Sequence, residues 1–319
     1  MKLVKMAEIT LQSNTAGLFL FFKNNEICRI NSETFPQIME LCHSIYSCKE
    51  INDEIMLYSR QLTGLLFGQN DITGQLDLQE NDLLIFRYPV QWDILPFELL
   101  RLENGWLSSR YQICRIIIQE ENERAALEPI YLNCNKCAFI RGIAFTSENN
   151  REINDTTLLE MNSLLKIFFD KKSDNAFING KETHKSYYSG TGNYSGLGMQ
   201  NSETIQFNLQ NDGDLLHICG HSNLENYFDC YDIENRIEGR LNLQEELRNA
   251  RYTFSFLSSC YSAKPVKSTF EKSPALILHE KSQTVIGYPV QVPAMRAKMI
   301  TEELYKIWLD GRQSIGRTI

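Results

Sequence analysis

No run of apolar residues in this 319-residue chain approaches the roughly 18 that a membrane-spanning helix needs. The amino terminus, MKLVKMAEITLQSNT, carries lysines but meets polar residues before any apolar core of signal-peptide length. Positive charge is in deficit: 32 Lys and Arg stand against 40 Asp and Glu, a net charge of -8, which leaves no basic footprint for nucleic acid or an acidic membrane. Internal repeats and low-complexity blocks are lacking, which sets solenoids and propellers aside. Nine cysteines, odd in number and irregularly spaced, do not form a disulfide framework and read as reduced thiols. The expectation is a soluble, unexported, cytoplasmic protein, and 43% hydrophobic with 23% charged residues is the balance of a globular one.

What is present is a series of short apolar runs. AEITLQ alternates, AGLFLFF is a buried strand, and KNN turns it into EICRI. Apolar residues at helical spacing between Glu33 and Leu66 predict two helices. DLLIFRYPV, from Asp82 to Val90, predicts a strand, and Pro96 in WDILPFELL sits where the first turn of a helix tolerates it. WLSSRYQICRIII predicts one more strand, before an exposed connection, QEENERAALEP. Beyond it follow CAFIRGIAF, a helix over DTTLLEMNSLLKIFFD, then AFINGKETHKSYY, LLHICGHSN, TFSFLSSC and TVIGYPV. Apolar runs alternating with amphipathic helices predict an α/β fold with a mostly parallel sheet flanked by helices, whose reactive groups gather at the carboxyl ends of the strands. The division predicted is an amino-terminal accessory subdomain over 1–129 and an active half over 130–319. Residues 187–203, with four glycines, read as a surface loop and a place for an activating partner or self-cleavage to act.

Two strand ends carry chemistry. His217 and His221 are four apart, but Ile218 stands where the zinc metallopeptidase pattern has Glu, and residues four apart on a strand lie ~13 Å from one another. No metal is expected there. The pair Cys134 and Cys137 is a lone CxxC with no partner pair at zinc spacing, and reads as a turn with two thiols. The 190–198 glycines precede no GK[ST] and fit no phosphate loop. His217 lies inside its apolar run and reads as a core histidine, whereas His221 falls at the strand's exit beside Gly220. Cys260 also follows a strand, among Ser258, Ser259, Tyr261 and Ser262, and reads as a thiol at a polar exit. A histidine of near-neutral pKa beside a thiol can take its proton and return it to a leaving amine.

At these ends the chain resembles the CHAT-type caspase-like cysteine peptidases, relatives of caspases and separase found largely in prokaryotes. The family's histidine strand reads approximately hHfaGHG and its cysteine strand lSACeta, where this chain has LHICGHS and LSSCYSA. DLLIFRYPVQWDILPFELL, INGKETHKSYY and the stretch from SQTVIGYPV to SIGRTI are similar to three further family segments in the same order, so the likeness runs from about Asp82 to the end. It implies a caspase-like fold, His221 as general base and acid, Cys260 as nucleophile, and an oxyanion hole of the backbone N–H groups of Ser222 and Cys260. Each such donor removes ~3 kcal/mol from the barrier. Ser222 stands where the family has Gly, and GYPVQVP lacks the family's tryptophan.

The likeness places the substrate pocket at FTSENNR, at the serines before Cys260 and at IGYPVQ. Glu148, Arg151, Ser258 and Tyr288 are its candidate lining residues, with plain exposed loop charge as the other reading of Glu148 and Arg151. It further implies no metal or organic cofactor, a protein substrate, an activating or inhibitory protein partner, and a regulated role in prokaryotic antiviral defence or cell death. A catalytically silent caspase-like scaffold that recruits a partner is the alternative.

Overall fold

The computed structural model describes residues 5–48, 52–68, 76–118, 137–141, 148–171, 175–178, 181–184, 212–220, 227–232, 237–243, 250–264, 272–289 and 291–309. The chain forms two compact units, Met1–Glu128 and Pro129–Ile319. Among the described residues, no helix is long and apolar enough to cross a membrane.

In the first unit, strands β1 (Met6–Asn14), β2 (Gly17–Phe22) and β3 (Asn25–Asn31) form an antiparallel meander. Its turns are written in the sequence. Asn14 Oδ1 accepts from the N–H of Ala16 at 2.8 Å, and a Cβ at Gly17 would lie 2.2 Å from the Ile30 carbonyl oxygen, an approach open only to glycine. Lys23 and Asn24 both have positive φ, 50° and 64°, the two-residue turn whose twist suits a hairpin. Helices α1 (Phe35–Ser47) and α2 (Asp53–Phe67) follow. Asn52 caps α2, its side chain accepting from the Ile55 N–H at 3.0 Å, and Asp53 and Glu54 fill the first turn. Strand β4 (Leu83–Pro89) then pairs parallel with β1.

After β4, the helix predicted at Pro96 is a single 3₁₀ turn, Phe97–Leu99. A helical nucleus fixes three residues for one hydrogen bond, and here tertiary bonds claim the chain first. Arg101 N–H donates to Thr63 Oγ1 at 2.9 Å and Leu107 N–H to the Leu100 carbonyl at 2.8 Å, closing a small hairpin of β5 (Arg101–Leu102) and β6 (Gly105–Trp106). The strand predicted over WLSSRYQICRIII is likewise divided. Ser108 and Ser109 hydroxyls donate to the carbonyls of Glu98 and Trp106, each at 2.7 Å, and Leu107–Arg110 is one helical turn, α3. Strand β7 (Gln112–Ile118) completes a sheet of order β3-β2-β1-β4-β7. The core lies between this sheet and α1 and α2, where Ile9, Leu11, Ile38, Ile45, Leu62, Leu84 and Phe86 are buried.

The second unit is built on a sheet of order β10-β9-β8-β11-β14-β15: β8 (Cys137–Arg141), β9 (Asn175–Ile178), β10 (Lys181–His184), β11 (Gly213–Cys219), β14 (Tyr252–Ser258) and β15 (Ser282–Gly287). All its pairings are parallel except β9 with β10. A separate antiparallel pair, β12 (Tyr227–Asp232) and β13 (Ile237–Asn242), lies between β11 and β14 in the chain. Helices α4 (Glu148–Lys171) and α6 (Ala294–Leu309) pack on each other over one sheet face, with Phe139, Leu215, Phe254, Phe256, Leu165, Phe168 and Trp308 between. The short α5 (Pro274–His279) covers Leu216, Ile218 and Leu257 on the other. Burial from both sides explains why β11 and β14 read as continuous apolar runs.

Candidate active site

The strand β14 ends at Ser258, and in its parallel register with β11 the last pair is Cys219 with Ser258. Cys260 and His221 each follow that pair by two residues in the sequence. Gly220 continues β11, its N–H donating to the Ser258 carbonyl at 3.3 Å, with φ of 151°, a region that suits glycine. His221 and Ser222 lie outside the described residues, as do residues 187–203, Cys134 and the connection QEENERAALEP.

Cys260 is half-buried and opens a tight turn. Tyr261 takes the left-handed conformation, φ 58°, and the N–H of Lys264 donates to its carbonyl at 3.0 Å. Cys260 Sγ donates to the Val292 carbonyl at 3.4 Å. The ammonium of Lys264 lies 5.0 Å from the centre of the Tyr261 ring, and burial together with the neighbouring Cys260 raises the Tyr261 hydroxyl above its ordinary pKa.

The serines around Cys260 are not a solvated exit: Ser258 and Ser259 are each 4% exposed and Ser262 is fully buried. The polarity of Ser262 is absorbed by backbone bonds. Its hydroxyl donates to the Leu257 carbonyl at 3.2 Å and accepts from the Tyr288 N–H at 3.0 Å. The Ala263 N–H in turn donates to the Tyr288 carbonyl at 3.0 Å. Tyr288 therefore brackets the Cys260 turn with its backbone, while burial, and then the charge of Glu160, raise its phenol pKa. Gly287 permits this approach, because a Cβ there would stand 3.0 Å from Ser262 Oγ and 3.1 Å from the Ala263 Cβ.

Of the other predicted residues, Ser258 ends β14 with its hydroxyl buried. Glu148 and Arg151 are not in a loop, because α4 begins at Glu148. A 24-residue helix needs an apolar stripe only where it meets the sheet, so the polar residues ENNR hide its first turn from a periodicity reading. Cys137 is not in a turn either; it is the first residue of β8 and 1% exposed, since the apolar run CAFI takes it into the sheet.

His217 is fully buried, with its ring 5.5 Å from that of Phe256 and 6.2 Å from that of Phe139. Its Nδ1 lies 3.3 Å from Tyr305 Oη and its Nε2 3.5 Å from Glu160 Oε1. It pairs across the sheet with Phe256, four residues before Cys260, which is ~13 Å of strand. Among the described residues, no three His, Cys, Asp or Glu side chains are grouped to hold a metal ion. The part that Ser262, Gly287 and Val292 play in holding the Cys260 turn escaped the sequence reading. Only Gly287 left a sign, as an isolated glycine at a strand end, where another backbone often approaches.

No family model matches the chain, and no curated protein does. The solved structures similar to it include a secreted C11 cysteine protease from Bacteroides thetaiotaomicron in complex with an irreversible peptide inhibitor, at a TM-score of 0.34 and 10% identity. The match covers 56% of this chain and 57% of that one, so the chain spans little more than half the length of that structure.

Proposed function

We propose that the chain is a caspase-like cysteine peptidase that cleaves a protein substrate with Cys260 and His221. The observation that supports this most is the register: β11 and β14 are adjacent and parallel, and residues 221 and 260 are equally far from their last paired position. An imidazole and a thiol that follow one sheet end at the same short distance in the sequence are the groups this reading needs to share a proton. His221 takes the proton of Cys260, and the thiolate attacks the scissile carbonyl. The resulting oxyanion accepts hydrogen bonds from the backbone N–H groups of Cys260 and Ser222. As the tetrahedral intermediate collapses, the C–N bond breaks and His221 delivers the proton to the leaving amine. Water, deprotonated by His221, then hydrolyses the thioester and returns the thiol. A partner protein regulates the step, in prokaryotic defence or cell death, as the family likeness implies.

The test is hydrolysis of a degenerate peptide library by the full chain, with and without candidate partners. Cys260→Ala abolishes turnover and leaves the melting temperature within a few degrees of wild type. A peptidyl electrophile labels Cys260 and spares the thiols of the first unit, because burial raises the pKa of Cys28, Cys48 and Cys114 and pushes that of Cys42 up to about 12.

One observation favours the second reading, a silent scaffold: Cys260 Sγ already donates to the Val292 carbonyl. Labelling of Cys260 no faster than that of Cys134, under every activating condition, would decide for the scaffold.

A further inference from the structure

We infer that Ser262 is a positioning residue, whose hydroxyl ties the Cys260 turn to the segment leaving β15 and so sets where the thiol stands. The inference rests on the peptidase reading for its meaning, but its geometry does not. Every polar group of Ser262 is engaged, and the bonds run to four separate parts of the unit. The N–H donates to the Ser259 carbonyl at 3.3 Å and closes the turn; the carbonyl accepts from the Ala275 N–H of α5 at 2.8 Å. The hydroxyl spans Leu257 on β14 and Tyr288 beyond β15. A fully buried hydroxyl with both a donor and an acceptor partner has one orientation, so it transmits position rather than merely filling space.

The segment from Tyr288 to Val292 touches the Cys260 turn at both ends. At Tyr288 the contacts are Ser262 Oγ and the Ala263 N–H; at Val292 the contact is the thiol itself. Tyr261, between Cys260 and Ser262, holds a left-handed φ of 58°, a conformation that persists in a bulky residue only where its surroundings impose it. Ser262 and Ala263 supply that imposition from the carboxyl side. A peptide engaging Tyr288 therefore acts on the Cys260 turn in part through the Ser262 hydroxyl. Removing it leaves the Tyr288 N–H and the Leu257 carbonyl without that partner, and frees the turn to relax.

Three readouts on Ser262→Ala test this. Hydrogen exchange of the Tyr288 amide accelerates. Alkylation of Cys260 by iodoacetamide slows by about tenfold at pH 7, because the relaxed turn no longer holds the thiol where Ser262 sets it. The kcat for peptide falls by roughly 10- to 100-fold while KM stays within about threefold, the pattern of a misplaced reacting group. Faster exchange at Tyr288 with an unchanged alkylation rate would make the hydroxyl a mere fastener and overturn the inference, as would unchanged exchange. If Ser262→Ala does not fold, Gly287→Ala disturbs the same contact from the opposite side with the hydroxyl retained. It slows Cys260 alkylation, and a wild-type rate there equally overturns the inference. Should the wild-type protein hydrolyse no peptide at all, the peptidase reading falls, while exchange and alkylation still decide the coupling.

Discussion

Each unit of this protein sets a nitrogen-bearing side chain against an acidic one, half-buried in the first unit and fully buried in the second, and the two arrangements differ in completeness. In the first unit, Arg115 reaches across from β7 with its guanidinium 5.4 Å from the centre of the Phe97 ring. Its Nε donates to Glu98 Oε1 at 2.8 Å and its Nη2 to Glu98 Oε2, a bidentate fork, while Nη1 reaches the Asp93 carbonyl at 3.3 Å and Tyr88 Oη at 3.4 Å. Tyr88 closes the group by donating to Asp93 Oδ1 at 2.9 Å. In the second unit, His217 and Glu160 are more deeply buried, at 0% and 2% side-chain exposure, yet they face each other at 3.5 Å without a hydrogen bond. Buried polar groups are tolerated where geometry saturates them and are costly where it does not. The Arg115 group is thus a fastening of the sheet to the Asp93–Glu98 turn, and the His217 pair is a polar flaw in an apolar layer.

The largest effect expected from disturbing this contrast is on Arg115→Met. It leaves Glu98 and Asp93 without their cation and costs about 3–5 kcal/mol, measured by urea unfolding. Arg115→Lys keeps the charge but loses the fork, and recovers only part of that loss. His217→Ala comes next, at about 2–4 kcal/mol, the cost of a cavity among Phe139, Phe256 and Tyr305 together with the lost contact to the Tyr305 hydroxyl. Loss of peptide turnover with stability retained would instead mean that His217, not His221, serves Cys260. The caps are smaller. Asn52→Ala on α2 and Ser273→Ala on α5, whose hydroxyl accepts from the Leu276 N–H at 3.2 Å, each cost about 1 kcal/mol.

Acid gives the finest separation of the two units. Burial opposes ionisation of Glu98, but the Arg115 guanidinium outweighs it, so the folded pKa of Glu98 lies below its ordinary value. Its contribution is therefore complete above the unfolded pKa of about 4.3 and is lost as pH falls through the lower folded value. In a Trp308→Phe background, fluorescence of Trp92 and Trp106 reports the first unit alone and tracks this loss. With Arg115→Met the acid dependence shrinks.

Much of the fold was legible because its signals are local. Alternation marked β1, the Lys23–Asn24 turn marked the hairpin, and unbroken apolar runs marked β11 and β14. Where local signals and tertiary bonds competed, tertiary bonds won, as at Pro96, at Leu107–Arg110 and at Cys137. Of the candidate site, Cys260 was legible as a reactive residue just past a strand. The serines around it were read as a polar exit, whereas they are buried, and the backbone partners that satisfy Ser262 come from β14, α5 and the end of β15.

By itself, then, the sequence determined which segments are strands and helices and which reactive side chains follow strand ends, since periodicity and turn chemistry act over a few residues. Only the tertiary structure decided that Cys219 pairs with Ser258, and that Gly287 lets Ser262 grip the backbone of Tyr288. Register and close approach arise between segments tens of residues apart, where packing rather than any local pattern selects the partner.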